Sequence, residues 1–155
     1  MPVMAPRCVL VTGSSGCLGR PLANRLAREG HTVVGLDITP AREAVGFTQV
    51  TGDVGDAPLL QALFERHGFD WVAHCGGISG QMIAADDPHR VCQVNVFGTA
   101  HLLEAARTHK VERFIYSSSQ GAYGVAACPV RLAPNRAAFA GARTRRGAPE
   151  PPNRA

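Results

Sequence analysis

The sequence predicts an α/β protein with an open, doubly wound parallel sheet of five strands in the order 3-2-1-4-5. Short apolar runs rich in β-branched residues alternate with helical patterns along the first 124 residues. These runs are continuously apolar, as in strands that helices cover on both faces. Because parallel strands are joined by right-handed crossovers, the alternation builds one layered sheet. A length of 155 residues with 45% hydrophobic composition fits a single domain.

The first two elements are a buried strand and an amphipathic helix. The run RCVLVTG, residues 7–13, is short, β-branched and ended by glycine, which is typical of a buried parallel strand. The stretch LGRPLANRLAREG, residues 18–30, repeats leucine at positions i, i+4 and i+8. Pro21 is tolerated in its first turn and Gly30 ends it, so this stretch predicts the first helix.

The remaining elements follow the same alternation. HTVVGLDI and FTQVTGDV predict the second and third strands, with only a short polar connection between them. DAPLLQALFERHG predicts a helix with Asp56 as its N-cap and Gly68 at its end. WVAHCGG predicts the fourth strand and RFIYSSS the fifth. Between them, DPHRVCQVNVFGTAHLLEAARTHK predicts the longest helix, with Asp86 or Asp87 near its start.

The composition changes after Gly124. Of residues 125–155, 22 are Ala, Arg, Pro or Gly, and no apolar period is sustained. We therefore predict a domain over residues 1–124 and a disordered tail over residues 125–155. The tail carries six arginines and one glutamate, which leaves 10 basic and 11 acidic residues for the rest of the chain. The basicity belongs to the tail, and since Phe139 is its only aromatic residue, nucleic-acid binding is not indicated.

Several other classes of protein are not indicated. No run of about 18 apolar residues and no cleavable leader is present, so we expect a cytoplasmic protein without membrane insertion. The five cysteines lack CxxC spacing, and their odd number argues against a disulfide framework. No pair of histidines or cysteines has the spacing of metal ligands, so no metal site is predicted.

A glycine-rich loop, TGSSGCLG at residues 12–19, joins the first strand to the first helix. Gly13, Gly16 and Gly19 stand where a tight turn, a close approach to a pyrophosphate and close helix packing each exclude a Cβ. Cys17 and Leu18, between the last two glycines, belong to the same predicted phosphate-binding set. The helix that follows directs free N–H groups at the phosphates. This placement between strand and helix predicts a dinucleotide-binding loop of Rossmann type.

An acidic residue follows at the distance that such a loop requires. Asp37 ends the second strand, 18 residues beyond Gly19, where a carboxylate accepts hydrogen bonds from an adenosine ribose. It would repel a 2′-phosphate, so NAD is favoured over NADP as the cofactor. Arg42 nearby leaves some tolerance of NADP open, and the alternative is an ordinary loop aspartate beside a glycine-rich turn.

The motifs together resemble a known family. TGSSGCLG is similar to the TGxxGxxG signature of short-chain dehydrogenases/reductases, and the stretch from Arg7 to Gly124 resembles their extended branch, the NAD-dependent nucleotide-sugar epimerases and dehydratases. Four further segments match in the family's order: GDV at 52–54, HCGG at 74–77, NVFGTAHLLEAA at 95–106 and YSSSQGAYG at 116–124. The resemblance implies an NAD site and, by descent, a nucleotide-sugar substrate.

The resemblance also implies roles for single residues. It places the following residues around the cofactor: Asp53, Val54, Cys75, Gly76, Gly77 and Asn95. The first two would flank the adenine, and the next three would line the nicotinamide half. Asn95 would face the cofactor from the long helix, the alternative being a solvent-facing helix residue. Ser119 matches the serine that binds a substrate hydroxyl, the alternative being a serine that satisfies backbone groups at a strand end.

The catalytic pair of that family is missing. The resemblance implies hydride transfer from a sugar carbon to NAD, with a tyrosine as base and a lysine four residues later that favours its phenolate. Here the residues four positions after the two tyrosines are Gln120 and Ala127, and the only lysine, Lys110, precedes both. The family's last strands and substrate domain also have no room in 155 residues. We expect a truncated or frame-shifted copy.

Three functions are therefore open. The first is an NAD-binding, epimerase/dehydratase-like protein that lacks its general base and is inactive as it stands. The second is a non-catalytic NAD-sensing or interaction module whose basic tail binds an acidic partner. The third keeps activity through another base, His74 or His101, although no spacing supports either one. In each case the outer edge of the fifth strand is expected to promote self-association.

Overall fold

A computed structural model describes residues 5–41, 45–79 and 86–119 of the chain. The chain divides into two compact units, Met1–Ser118 and Ser119–Ala155. The helices and strands that the structure describes belong to the first unit. Arg42 and the predicted tail at residues 125–155 lie outside the described residues.

The five predicted strands form one parallel sheet in the order β3-β2-β1-β4-β5, which confirms the predicted topology. The strands are β1 (Cys8–Thr12), β2 (Thr32–Asp37), β3 (Thr48–Thr51), β4 (Trp71–His74) and β5 (Arg113–Tyr116). The described helices are α1 (Gly19–Arg28), α2 (Ala57–His67), α3 (Pro88–Cys92) and α4 (Thr99–Thr108), with a π-helical segment (Gln93–Gly98) between the last two. None of these helices is long and apolar enough to cross a bilayer.

The central strand β1 separates two hydrophobic cores. Leu10 packs with the residues of α2 and α4, among them Phe64 and Leu102, on one face of the sheet. Val9 and Val11 point to the other face and pack with Ala23 of α1. Because neighbouring residues of one strand are buried in opposite cores, the sheet is covered on both faces, as the continuous apolar run predicts.

The helix ends follow the capping signals of the sequence. The side chain of Asp56 accepts a hydrogen bond from the Leu59 amide at 3.0 Å, and Gly68 ends α2 with a φ of +57°. At the start of α3 the N-cap is Asp87, whose side chain accepts from the Arg90 amide at 2.9 Å. These contacts satisfy amides that have no partner inside their own helix.

The predicted longest helix contains a wide turn. Residues 88–108 are helical throughout, but the π-helical segment interrupts the α-helical pattern at its middle. Gly98 lies against the loop after β3, where a Cβ would come within 2.7 Å of Val54 Cγ2. The Thr99 hydroxyl donates to the Asn95 carbonyl at 2.8 Å, so a side chain competes with the backbone ladder here. Wide turns of this kind are frequent at functional sites.

Candidate dinucleotide-binding site

A cleft opens where the order of the strands reverses, between the loops that follow β1 and β4. Open α/β sheets bind their ligands at this point, outside the carboxyl ends of the strands. A cavity of about 290 Å³ occupies the cleft. Eight of the predicted cofactor residues line it: Gly13, Gly16, Asp37, Asp53, Val54, Cys75, Gly76 and Gly77. The fold thus brings together residues that lie up to 64 positions apart in the chain.

A second cavity, of about 370 Å³, adjoins the first along the glycine-rich loop. The two cavities share Gly16, Asp37 and Thr39 as lining residues. Ser15 and Arg20 complete the loop side of the second cavity, and the sequence analysis did not single out either residue. The groove therefore continues past the end of β2, as an elongated ligand requires.

The first and third glycines of the loop leave no room for a side chain. Gly13 has a φ of +68°, and a Cβ there would lie 2.7 Å from the Gly76 amide nitrogen. A Cβ on Gly19 would lie 2.2 Å from the Gly13 carbonyl oxygen. Among the described residues, a Cβ on Gly16 would meet only that same oxygen, at 3.2 Å, and Gly16 lines the cleft. The loop is therefore tightly packed at Gly13 and Gly19, and at Gly16 it presents backbone without a side chain to the cleft.

The start of α1 offers unused hydrogen-bond donors. Among the described residues, the amides of Cys17, Leu18 and Gly19 have no hydrogen-bond partner. The first turn of α1 carries no acidic side chain that would compete for them. The helix dipole adds a partial positive charge at the same place. Three free N–H groups at a helix N-terminus are a donor set that fits a pyrophosphate.

The carboxylate of Asp37 is fixed at the junction of the two cavities. Its Oδ2 accepts from the Ser15 amide and its Oδ1 from the Thr39 amide, each at 2.9 Å. Each oxygen keeps a lone pair for another donor. The side chain is therefore held rigidly with acceptor capacity left over, which suits the hydroxyls of a ribose.

A buried hydrogen-bond chain connects the loops behind the cleft. The Gly76 amide donates to Thr12 Oγ1 at 3.1 Å, and Thr12 Oγ1 lies 2.6 Å from His74 Nδ1. On the other side of the ring, His74 Nε2 lies 2.9 Å from Thr99 Oγ1. The Thr99 hydroxyl in turn donates to the carbonyl of Asn95. The chain thus ties β1, β4 and the π-helical segment together.

The direction of these hydrogen bonds determines the tautomer of His74. The only hydroxyl proton of Thr99 goes to Asn95, so Thr99 accepts from an Nε2–H of the imidazole. The Nδ1 atom is then free of a proton and accepts from the Thr12 hydroxyl. Burial lowers the pKa of His74 to about 4, so the ring stays neutral near pH 7. With 1% exposure and both nitrogens engaged, His74 is not placed to take a proton from a substrate.

Asn95 holds the loop that follows β4. Its Oδ1 accepts from the Ile78 amide and its Nδ2 donates to the Ile78 carbonyl, both at 2.8 Å. A Cβ on Gly77 would lie 3.1 Å from the same Oδ1. The side chain is half-buried and bonded to this loop, and it is not among the residues that line the cavity, so its predicted role at the cofactor stays a prediction. Burial also raises the pKa of the Cys75 thiol in this loop, which keeps it protonated.

The end of the cleft near Asp53 contains a residue that the sequence analysis missed. The guanidinium of Arg90 donates to Asp53 Oδ2, and the Gly55 amide donates to Oδ1 at 2.8 Å. Burial raises the pKa of Asp53, but these hydrogen bonds outweigh it and hold the pKa below its ordinary value. A basic residue in the first turn of a helix opposes the dipole, and this signal could have drawn attention to Arg90.

The residue predicted to bind the substrate hydroxyl, Ser119, is at the start of the second compact unit. It is exposed there, so its role stays a prediction. Tyr116 ends β5, 45% exposed, whereas Lys110 lies in the turn before the start of that strand. These two residues lie at opposite ends of β5, so they do not form a catalytic tyrosine–lysine pair of the YxxxK kind.

Comparison with known proteins identifies the family. The model of the NAD dependent epimerase/dehydratase family matches residues 9–140. The chain belongs to this family. The match continues beyond Gly124, where the motif resemblance ends, into residues that the structure does not describe.

Proteins of known activity or structure resemble the chain over three quarters of its length or more. The chain is 34% identical over 127 residues to a UDP-glucose 4-epimerase of Yersinia pestis, covering 75% of this chain and 38% of that protein. It is 33% identical to a 2-alkyl-3-oxoalkanoate reductase of Stenotrophomonas maltophilia, covering 79% of this chain and 36% of that protein. The structure of the Bordetella bronchiseptica enzyme WbmG in complex with NAD matches with a TM-score of 0.74 and 27% identity, covering 83% of this chain and 43% of WbmG. The chain thus spans less than half the length of these proteins.

Proposed function

We propose that this chain is the NAD-binding domain of a nucleotide-sugar epimerase/dehydratase-type protein. The observation that carries the proposal is the cleft at the strand-order reversal, where eight predicted residues meet beside a helix start with free amides. The bound NAD in WbmG and the UDP-sugar specificity named for the Yersinia pestis relative support it. The Stenotrophomonas maltophilia reductase shows that the family match alone does not fix the substrate.

Each part of the cleft has a role in the proposed complex. The amides of Cys17, Leu18 and Gly19 would bind the pyrophosphate, and Asp37 would accept from the adenosine ribose. The adenine would lie against the backbone of residues 52–54 and beside the side chains that pack on this segment. Gly76 and Gly77 present no side chain to the nicotinamide half. Bound NAD supplies a hydride acceptor.

We also propose that these 155 residues alone do not catalyse the conversion of a nucleotide sugar. The sequence contains no YxxxK pair, and His74 is neutral, buried and fully engaged. Loss of a general base lowers a rate by roughly two to four orders of magnitude. We therefore expect NAD binding without conversion of UDP-glucose or UDP-galactose, measured by coupled assay of the sugar products.

The cofactor assignment is tested by titrating the full chain with NAD and NADP while thermal unfolding is followed. Asp37→Asn keeps the shape of the side chain but removes its charge. We expect NAD affinity to fall roughly tenfold or more, and the preference for NAD over NADP to shrink, because a charged acceptor of the ribose hydroxyls is lost. Glu65→Gln, at the opposite end of α2 from the cleft, serves as the control for charge. Equal stabilisation of the protein and Asp37→Asn by NAD would contradict the assignment.

A further inference from the structure

We propose that Arg90 determines specificity for the adenine base by holding Asp53 in place and by forming one wall of the base subsite; this rests on the proposed function. Both side chains line the cavity of about 290 Å³. They come from different elements, Arg90 from α3 and Asp53 from the loop after β3, and they are 37 residues apart. The ion pair therefore closes the side of the cleft where the base would lie.

The walls near this ion pair are apolar. Val54 and Val94 are less than a tenth exposed, and both line the same cavity together with Leu36. A flat, weakly polar ring system is the kind of group that such walls accommodate. Asp53 and Arg90 line the same cavity as these apolar side chains, so their charged groups could meet the polar rim of a bound ring.

The Asp53 carboxylate favours a base that presents an N–H donor at its edge. It is ionised, since its pKa is below the ordinary value, and it accepts from Arg90 and Gly55, one at each oxygen. Each oxygen has a second lone pair, which suits a further N–H donor. Adenine presents an amine at its edge, whereas hypoxanthine presents a carbonyl oxygen at the same position. An ionised acceptor held in place therefore attracts the first base and repels the second.

Arg90 contributes in two ways. Its guanidinium donates a charge-assisted hydrogen bond to Asp53 Oδ2, which holds the carboxylate at the cavity. Its side chain is 38% exposed and lines the cavity, so a base could stack on its planar guanidinium. The backbone capping of α3 does not need this side chain, because Asp87 caps the helix and only the Arg90 amide takes part.

The test compares NAD with nicotinamide hypoxanthine dinucleotide, by calorimetric titration of the full chain. The unsubstituted protein is expected to prefer NAD by about tenfold, the effect of one charge-assisted hydrogen bond. Arg90→Ala is expected to weaken NAD by about tenfold and to bring the two affinities close together, because Asp53 is then free to turn away. Arg90→Lys, which keeps the charge without the planar fork, is expected to restore only part of the preference.

Arg66→Ala is the matched control, since it removes the same charge from an exposed position in the last turn of α2. It should leave both affinities unchanged. Equal weakening of the two dinucleotides by Arg90→Ala overturns the proposal, because a merely structural ion pair would act on both alike. Binding of both without preference by the unsubstituted protein also overturns it, while the NAD assignment stands. Binding of neither overturns the proposed function as well.

Discussion

At the scale of single residues, the neutral ring of His74 connects the sheet to the cleft by hydrogen bonds. Its neutral ring accepts from Thr12 and donates to Thr99, and Thr12 also accepts from the Gly76 amide that lines the cavity. A second proton on the ring would meet the Thr12 hydroxyl, which already donates toward that nitrogen. Protonation therefore opposes both the burial of the ring and the order of the hydrogen bonds.

This arrangement predicts a pH dependence of stability. The pKa of His74 is about 4 in the folded chain and about 6.5 when unfolded, so the unfolded state binds more protons between these values. The contribution is fully present above pH 6.5 and is lost as the pH falls toward 4. The loss in free energy of unfolding is expected to approach about 3 kcal/mol, measured by denaturant titration across this range.

Two variants isolate the effect of His74. His74→Gln cannot titrate, so its stability should be lower at pH 7 but should change less between pH 6.5 and 4. His89→Gln, at an exposed position on α3, should keep the full pH dependence. A slope that is the same in His74→Gln and in the unsubstituted chain would assign the pH dependence to other groups.

At the scale of elements, the π-helical segment positions the loop after β4 through one side chain. Asn95 makes two hydrogen bonds to the backbone of Ile78, both at 2.8 Å, while its own carbonyl accepts from Thr99. The loop carries Cys75, Gly76 and Gly77 into the cleft. The geometry of the helix is thereby transmitted to the wall of the proposed cofactor site.

Asn95→Ala is therefore expected to weaken both the fold and NAD binding. It leaves the amide and carbonyl of Ile78 without partners, which costs about 1–3 kcal/mol in free energy of unfolding. Faster hydrogen exchange at the Ile78 amide and a lower NAD affinity are the expected measurements. Gln93→Ala, an exposed substitution on the same segment, is the control. Unchanged exchange at Ile78 would contradict the positioning role.

The elements differ in how far sequence reasoning predicts them. The strands, the caps at Asp56 and Asp87 and the glycines of the loop follow from local patterns, and each is found in the structure. The π-helical segment does not follow, because the spacing of its apolar residues still fits an α-helix. The segment lies where Gly98 approaches Val54 of a distant loop and where the Thr99 hydroxyl donates to the Asn95 carbonyl, contacts that the sequence of the helix does not reveal.

The candidate site shows the same division. Asp37 could be predicted because its distance from the glycine-rich loop is constant in this type of fold. The hydrogen bond from the Thr39 amide is local, since Thr39 is only two residues after Asp37, as in an Asx turn. The hydrogen bond from Ser15 to Asp37, and the ion pair from Arg90 to Asp53, join residues that no local pattern connects. Such pairings depend on how the elements pack, so only the three-dimensional structure reveals them.

At the scale of the whole molecule, β5 forms one edge of the sheet and carries exposed apolar side chains. Within the described ranges, β5 pairs with β4 alone. Ile115 and Tyr116 on this strand are 44% and 45% exposed. The sequence predicts self-association at this edge, since unpaired backbone groups beside apolar side chains are a template for another strand.

The strand edge can be tested because the chain offers a second exposed apolar position for comparison. Ile115→Lys puts a charge on the edge, which natural proteins use to block strand addition, whereas Leu103→Lys makes the same change on α4, where Leu103 is 49% exposed. Sedimentation velocity over a range of protein concentrations should show association of the unsubstituted chain and of Leu103→Lys, and a monomer for Ile115→Lys. High salt should not dissolve the assembly, because apolar contacts and backbone pairing are not screened as charge pairs with a basic tail would be. If Leu103→Lys alone gives a monomer, the associating surface is α4, and the assignment of self-association to the β5 edge is wrong.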